Sequence, residues 1–467
     1  MTDAERNREL EDLLRQRDAR IAELEQKVAE LTKVIDAWKR GHRVRPGGKI
    51  AQKPRDARKA TGRGPGRDEG HPGVSRPAPD HFDREVPVPV PETCEFCGGV
   101  VEASDEEPGS QLVEELPRRP VEVVRYRRCK GRCRDCHRPA TAPLPDGLGA
   151  NPKIGVLTQA EIIQTKTELG LSLGQTQKLF ARRGLVLSRA GIQQMLHRSA
   201  KILQAGKDAI QAEIPRAAVA WADESSHKVD GKSGYLWLVM TPNVVLYEAD
   251  RSRGQEVAQR MLAGFTGTLH SDFYAVYWTL DGVAHAPCWG HLCKSARQVA
   301  ERATDAPGPT EFHDRLSGLY ARAVAAQGRT ETAERNARAI KGDLKALAND
   351  LELAADPDVA RLQGRILRHL DELVAFVTNP DLEGTNNRAE REFRPHAQAR
   401  HRSGGARSDA GSTTYATNLS VMRTVHLNGG DFTEVFRQAR VAFHTGAPFP
   451  TLFPSRASPS ADGAVLS

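Results

Sequence analysis

The stretch from Ala217 to Tyr277 constrains the fold most. "AAVAWADESSHKV" is an apolar run that leads into Asp223, and "GYLWLVMTPNVVLYEA" holds two more such runs around a Pro242-Asn243 turn. Apolar, β-branched runs bounded by turn residues read as strands. "SRGQEVAQRMLAGF" then changes to the spacing of an amphipathic helix. "GTLHSDFYAVY" returns to strand spacing and delivers Asp272, with a helix expected to follow.

Three strands, a helix and a fourth strand is the order of an RNase H-like α/β core. In that core an acid on the first strand and one at the end of the fourth sit side by side. Two carboxylates together are costly unless a cation neutralises them. Mg²⁺ prefers carboxylates plus water and phosphate, so Asp223 and Asp272 invite a phosphoryl-transfer site. The plainer reading is that each acid ends its strand as a turn or cap residue. Glu224, Asp230 and Asp281 stand in less suitable positions.

A third acid should come from a downstream helix. Far more chain separates Asp272 from Asn386 than one connection needs. Most of it has helical spacing, as in "FHDRLSGLYARAVAA" and "DVARLQGRILRHLDELVAFV", which predicts an all-helical insertion. Pro380 and Gly384 break that pattern before "LEGTNNRAEREFRP" restarts a helix. Two readings of this segment are open. Asn387 can be an N-cap with Glu390 as its capping-box partner. Alternatively, Glu390 is the third metal ligand, with Arg388, Arg391 and Arg394 beside it for a DNA phosphate. The second gains from two upstream acids that lack a partner. In "CWGHLC", Cys288 and His291 share a helical face with Cys293 near, but a partial ligand set is no metal site. That motif reads as a buried structural start to the insertion.

The N-terminal third is organised differently. Leu14, Ile21, Val28 and Ile35 repeat every seven residues, with Leu10, Leu24, Leu31 and Trp38 as a companion row that Arg17 interrupts. β-Branched residues in one row and Leu in the other favour a parallel two-stranded coiled coil, and Arg20 and Glu25 could pair between chains. The alternative is an amphipathic helix packed on its own chain. Residues 41–80 are rich in Gly, Pro, Lys and Arg and cannot bury enough surface to fold alone. Such a linker can touch phosphate loosely. Five of the seven cysteines lie between Cys94 and Cys136. Cys94-x2-Cys97 and Cys133-x2-Cys136 are two knuckles able to give Zn²⁺ a tetrahedral shell, with Cys129 a possible substitute. Further on, "LSLGQTQKLFARRGLVLSRAGIQQMLHRSAKIL" predicts two helices around Gly184, the second capped by Ser188. Arg189, Gln193, Gln194 and His197 then point outward. Arg and Gln so placed can read base edges, as in a helix-turn-helix, or merely solvate a helical hairpin.

The 467 residues allow about three domains. The net charge of +7 suits a polyanionic partner. No apolar run reaches the length of a membrane span, and "MTDAERNRELEDLL" has no signal-peptide core, so a cytoplasmic protein is expected. "WADESSHKVDGKSGYLWLVMTP", "RSRG", "GTLHSDFYAVY", "CWGHLCKSAR" and "GTNNRAEREFRP", with the coil, a linker ending "GHPG" and the knuckles, carry a resemblance over most of the chain. It resembles the insertion sequence 66 family of bacterial DDE transposases. The resemblance implies that Asp223, Asp272 and Glu390 form the DDE triad on Mg²⁺ (or Mn²⁺), and that the helical block is the family's insertion domain. It further implies DNA partners (the element's inverted repeats and a target), nucleoid association and small accessory proteins of the same element. Family members usually show an Arg-Lys pair where this chain has "QARHRSGGARS", so Arg400 and Arg402 receive no role. A homodimer through the coil would hold two ends together.

The expected architecture is therefore multidomain: a coiled coil over 1–40, a basic linker over 41–80, a zinc-binding domain over 81–150 and a helix-turn-helix-like region over 151–210. The RNase H-like core follows over 211–291 and 381–447, split by a helical insertion over 292–380, with a disordered tail over 448–467. Two other functions fit the same residues. One is a structure-selective nuclease on this core; the other is a non-catalytic DNA-binding repressor derived from a mobile element.

Overall fold

The computed structural model describes residues 153–453 except 304, 305 and 329, together with 80, 81, 83, 85, 86, 91–94, 97–101, 121–128, 130–141, 144 and 148. The predicted coil, nearly all of the linker, Cys129 and the tail from 454 lie outside these residues. The chain divides into two units, Met1–Arg119 and Pro120–Ser467.

In the first unit, Cys94 and Cys97 sit on a tight hairpin. The Cys94 N–H donates to Gly99 O and the Gly98 N–H to Cys94 O, each at 2.8 Å. The second unit begins with a hairpin of β1 (Lys130–Arg132) and β2 (Pro139–Thr141) around Cys133 and Cys136. There the Cys133 N–H donates to Arg138 O at 2.9 Å and the His137 N–H to Cys133 O at 3.1 Å. The loop repeats residue for residue, down to a left-handed position after the second cysteine: Gly98 at φ 70° and His137 at φ 53°.

Three helices lead into the core: α1 (Val156–Thr167), α2 (Leu173–Arg182) and α3 (Arg189–Glu213). Ser172 and Gln175 form a capping box on α2, and Ser188 caps α3 as the sequence predicts. Phe180 is buried on α2, and Ile192, Met195, Leu196 and Ser199 form the buried face of α3. The hairpin is therefore present. Its second helix is longer than predicted, running 25 residues and packing along a core helix.

The sheet has five strands: β3 (Val219–Ser226), β4 (Tyr235–Met240), β5 (Val245–Asp250), β6 (Thr268–Ser271) and β7 (Ala284–Pro287). Their spatial order is β5-β4-β3-β6-β7. The first three strands are antiparallel, and β6 and β7 join parallel to β3. A short helix, α4 (Gln255–Met261), crosses between β5 and β6. Near-continuous apolar runs such as "YLWLVM" belong to strands covered on both faces, and five of those six residues are buried. Gly267 opens β6 because a Cβ there would lie 2.4 Å from Ala218 O, which bars any side chain where β6 meets β3.

The helix predicted after Asp272 is absent. Asp272 Oδ1 accepts the Tyr274 N–H at 2.8 Å, which turns the chain. A single 3₁₀ turn (Tyr277–Thr279) and Gly282 at φ 72° then reverse it into β7. Between β7 and the last segment of the core come α5 (Trp289–Arg302), α6 (Pro307–Ala325), α7 (Glu331–Ala348), α8 (Pro357–Arg368) and α9 (Leu370–Thr378). This helical block begins three residues before the predicted 292 and ends close to the predicted 380. The core then closes with α10 (Asn387–Glu392), α11 (Arg394–Ser403), α12 (Asp409–Leu427) and α13 (Phe432–Thr445).

Edge strand β5 shows how α12 completes the sheet. An edge strand carries unpaired backbone groups that must find partners when buried. Ser420 Oγ accepts the Tyr247 N–H at 2.8 Å, and Thr424 Oγ1 accepts the Val245 N–H at 3.0 Å. The two hydroxyls stand one turn apart on α12 and are fully buried.

Candidate active site

The register of β3 against β6 positions the two aspartates. Trp221 is paired with His270, and their rings stack with centroids 5.6 Å apart. Two residues further along each chain stand Asp223 and Asp272. Side chains two apart on a strand share a face, and neighbouring strands lie about 4.8 Å apart. Asp223 lies within β3 and Asp272 one residue past the end of β6, and the charge of Asp272 reaches the Asp223 carboxyl. Asp223 Oδ1 also accepts the Glu224 N–H at 2.9 Å.

Glu390 arrives on α10, which Asn386 docks against β3. The Asn386 side chain donates to Ala222 O at 2.8 Å, and its backbone N–H donates to Cys288 Sγ at 3.1 Å. Asn386 is the N-cap but makes no side-chain cap bond, so the predicted capping box does not form. Glu390 instead faces His291, with Nε2 3.7 Å from Oε1. Gly384 prepares this approach. Its carbonyl accepts the Trp289 N–H at 2.9 Å, and a Cβ would lie 2.9 Å from the Tyr320 ring.

The electrostatics record the crowding of acids. Burial, and then the charges of Glu224, Asp272 and Glu390, push the Asp223 carboxyl up to about 8. Glu224 points to the other side of β3, where Tyr277 Oη donates to it at 2.6 Å and Arg253 pairs with it at 2.5 Å. Burial raises Glu224 despite these partners. Across the stacked pair, burial and the charge of Arg388 lower His270 to about 4.

The predicted cations divide into two groups. Arg388 is engaged: its Nε donates to Glu383 at 2.6 Å, and its guanidinium lies 4.7 Å from the Trp221 ring centroid. Arg391 and Arg394 are exposed. On α3, Arg189 and Gln194 are exposed, but Gln193 is tied to His197 at 3.0 Å, and His197 to Thr414 on α12 at 2.6 Å. Arg400 anchors α11 to β3 through Ser226 O at 2.8 Å, and Arg402 donates to Leu169 O at 2.5 Å.

Three participants were not foreseen from sequence. Arg365, on α8 of the helical block, lies 4.8 Å from the Phe273 ring centroid, and its charge interacts with that of Asp272. It has no salt-bridge partner among the described residues. Arg253 stacks on Tyr274 at 4.1 Å as well as pairing with Glu224. His291 proves to belong with Glu390. Together with Cys288 these two place one ligand atom each within 4.8 Å of one another, the one such group among the described residues, and could coordinate a metal ion. The partial ligand set of the "CWGHLC" motif thus has a further potential member 99 residues away. Cys293 stays outside that group, its thiol pushed up to about 11 by burial. At the second knuckle the backbone N–H groups of Cys136 and Asp135 hold the Cys133 thiol below the ordinary range.

Hard carboxylate oxygens suit Mg²⁺ or Mn²⁺. Asp223 on β3 and Asp272 just past β6, with the charge of Glu390 within reach, match that donor chemistry.

The sequence profile described as "Transposase IS66 family" matches residues 153–414, over half of the 467-residue chain. Three relatives come from Sinorhizobium fredii (strain NBRC 101917 / NGR234). The uncharacterized protein y4qI is 26% identical over 422 residues, 82% of this chain and 77% of its own. The uncharacterized protein y4hP is 24% identical over 397 residues, 77% of this chain and 72% of its own. The uncharacterized protein y4jD is 25% identical over 394 residues, 76% of this chain and 75% of its own.

Proposed function

The chain belongs to the IS66 transposase family, and on that premise we propose that it binds the terminal inverted repeats of its insertion sequence and catalyses DNA strand cleavage and strand transfer. The observation that supports the reading is the pairing of β3 with β6, which ends two residues before Asp223 and Asp272, together with the Asn386 bond that docks the Glu390 helix against β3. Asp223, Asp272 and Glu390 hold Mg²⁺ or Mn²⁺. Bound there, the ions supply an activated water for attack and charge neutralisation at the leaving 3′ oxygen. The residues of the chain do the rest. Arg388 and Arg391 steady the scissile phosphate, Arg388 by exchanging Glu383 for the phosphate oxygens. Arg394 meets the adjoining backbone. Arg189, Gln193 and Gln194 face the repeat.

Other parts of the reading concern assembly. The N-terminal coil pairs two protomers so that both element ends are held, and small proteins of the same element assist. Zn²⁺ on Cys94, Cys97, Cys133 and Cys136 is supported by the hairpin that each cysteine pair shares and by the lowered Cys133 thiol. Among the described residues no helix is long and apolar enough to cross a membrane, which agrees with work on DNA in the bacterial cytoplasm.

The test uses labelled inverted repeats, target DNA and Mg²⁺ on a sequencing gel. Joined product is expected. Cut product without joining would instead favour a structure-selective nuclease, and binding alone a repressor. Asp272→Asn should abolish both products while leaving the repeat bound.

A further inference from the structure

Cys288 follows β7 directly and caps α5, with its thiol buried. The sulfur is surrounded by donors. The Asn386 N–H reaches it at 3.1 Å, and the backbone N–H groups of His291 and Gly290 also point to it. Burial holds the Cys288 thiol above its ordinary range, and the backbone donors work the other way, toward the thiolate that a bound ion would stabilise.

His291 stands one turn along α5. Its Nδ1 is buried without a hydrogen-bond partner, and its Nε2 lies 3.7 Å from Glu390 Oε1. The ligand atoms of Cys288, His291 and Glu390 lie within 4.8 Å of one another. Donors on a tetrahedral Zn²⁺, at about 2.0–2.3 Å from the ion, are somewhat closer than that. The gap closes by rotation of His291 and Glu390, whose side chains are 33% and 48% exposed. A cavity of about 310 Å³ opens beside them, lined by His291, Lys294, Arg297, His313 and Glu390.

We propose that Cys288, His291 and Glu390 form a site for a thiophilic divalent ion of the zinc class, with the fourth position open to water from the cavity. One thiolate, one imidazole and one carboxylate make a three-ligand set with an open position, the pattern of an accessible zinc site. Mg²⁺ has little affinity for sulfur, so this set and the Asp223–Asp272 pair select different ions. They share one residue, Glu390. An ion bound to Cys288 and His291 therefore draws that carboxylate away from the aspartates, and micromolar zinc becomes an antagonist of Mg²⁺-dependent cleavage. This last consequence rests on the triad proposed above; the site itself does not.

The experiment uses Co²⁺ as an optical stand-in for Zn²⁺ on the full chain. The difference spectrum of wild type minus Cys288→Ser removes any contribution from the knuckle cysteines. It should show a thiolate-to-cobalt charge-transfer band and the loss of a single equivalent. His291→Ala should lose the same equivalent, and Cys293→Ser should keep it. Identical spectra and stoichiometry in all four proteins overturn the site, as does loss in Cys293→Ser alone. If Cys288→Ser fails to fold by circular dichroism, the partly exposed His291 decides: a folded His291→Ala with full stoichiometry overturns it. Excess Mg²⁺ should then weaken Co²⁺ binding about tenfold through the shared Glu390. A cobalt site that ignores Mg²⁺ leaves the three ligands standing and removes Glu390 from the triad.

Discussion

Asp223 shows the cost of building a cation site before the cation arrives. Burial and three neighbouring acids raise its carboxyl from the ordinary 3.8 to about 8. A folded-state value above the unfolded one means that stability is fully present at low pH and is lost as pH climbs from about 4 toward 8. Asp223→Asn removes that penalty. The metal-free variant should therefore be more stable than wild type by about 3 kcal/mol near pH 8, with the advantage shrinking to nothing near pH 4. Thermal melts of both proteins in chelator across that range read it out. An advantage that does not change with pH would mean that Asp223 is not titrating in this way. Arg365 is the complementary case, a half-buried cation whose charge reaches Asp272. Arg365→Ala should lower the cleavage rate about a hundredfold with repeat binding little changed, and Arg365→Lys should recover part of it. A fall in melting temperature with normal cleavage would make Arg365 only a support for Phe273.

Secondary structure was legible where one segment holds its own signal. β3 to β6, the Ser188 cap and the helices of the insertion follow from local spacing and turn residues. β7 was not, because "AHAP" is only four residues long, carries no β-branched residue, and is placed by its pairing with β6. Of the site, Asp223 and Asp272 could be nominated from strand order, and Glu390 from its place on the helix that restarts after the insertion. Arg365 could not, because a basic face on a helix looks the same whether it meets water or a carboxylate. The Ser420–Thr424 pair was equally hidden, since hydroxyls within a helix usually signal exposure. Here they complete edge strand β5. Replacing either by its apolar counterpart, Ser420→Ala or Thr424→Val, leaves a buried N–H without a partner. Each should cost about 1–3 kcal/mol in chemical denaturation. A change near zero would show that water reaches β5 and that α12 contributes packing alone.

Across the whole chain, Asp223 and Asp272 lie in neighbouring segments while Glu390 comes from more than a hundred residues further on, and the helical insertion stands between the second acid and the third. Its docking is specific. Trp289 Nε1 donates to Leu373 O at 2.8 Å, and the Trp278 ring meets His369 in a tilted contact with centroids 3.9 Å apart and stacks on His285 at 4.5 Å. The insertion thus fixes the cap of α5, on which Cys288 and His291 stand, and brings Arg365 over Phe273. It therefore acts as a wall of the site as well as a spacer. On the proposed function one site would cut one DNA end, whereas joining an element to a target would need two ends together. The proposed coil over the heptads of residues 8–39 would pair two copies. Removing residues 1–40 should halve the mass seen by light scattering and leave cleavage of a single repeat within about threefold of wild type, because none of the three acids lies there. Joining of paired repeats should be lost. A truncated chain that still joins both ends would mean that the two active sites are brought together by the core itself.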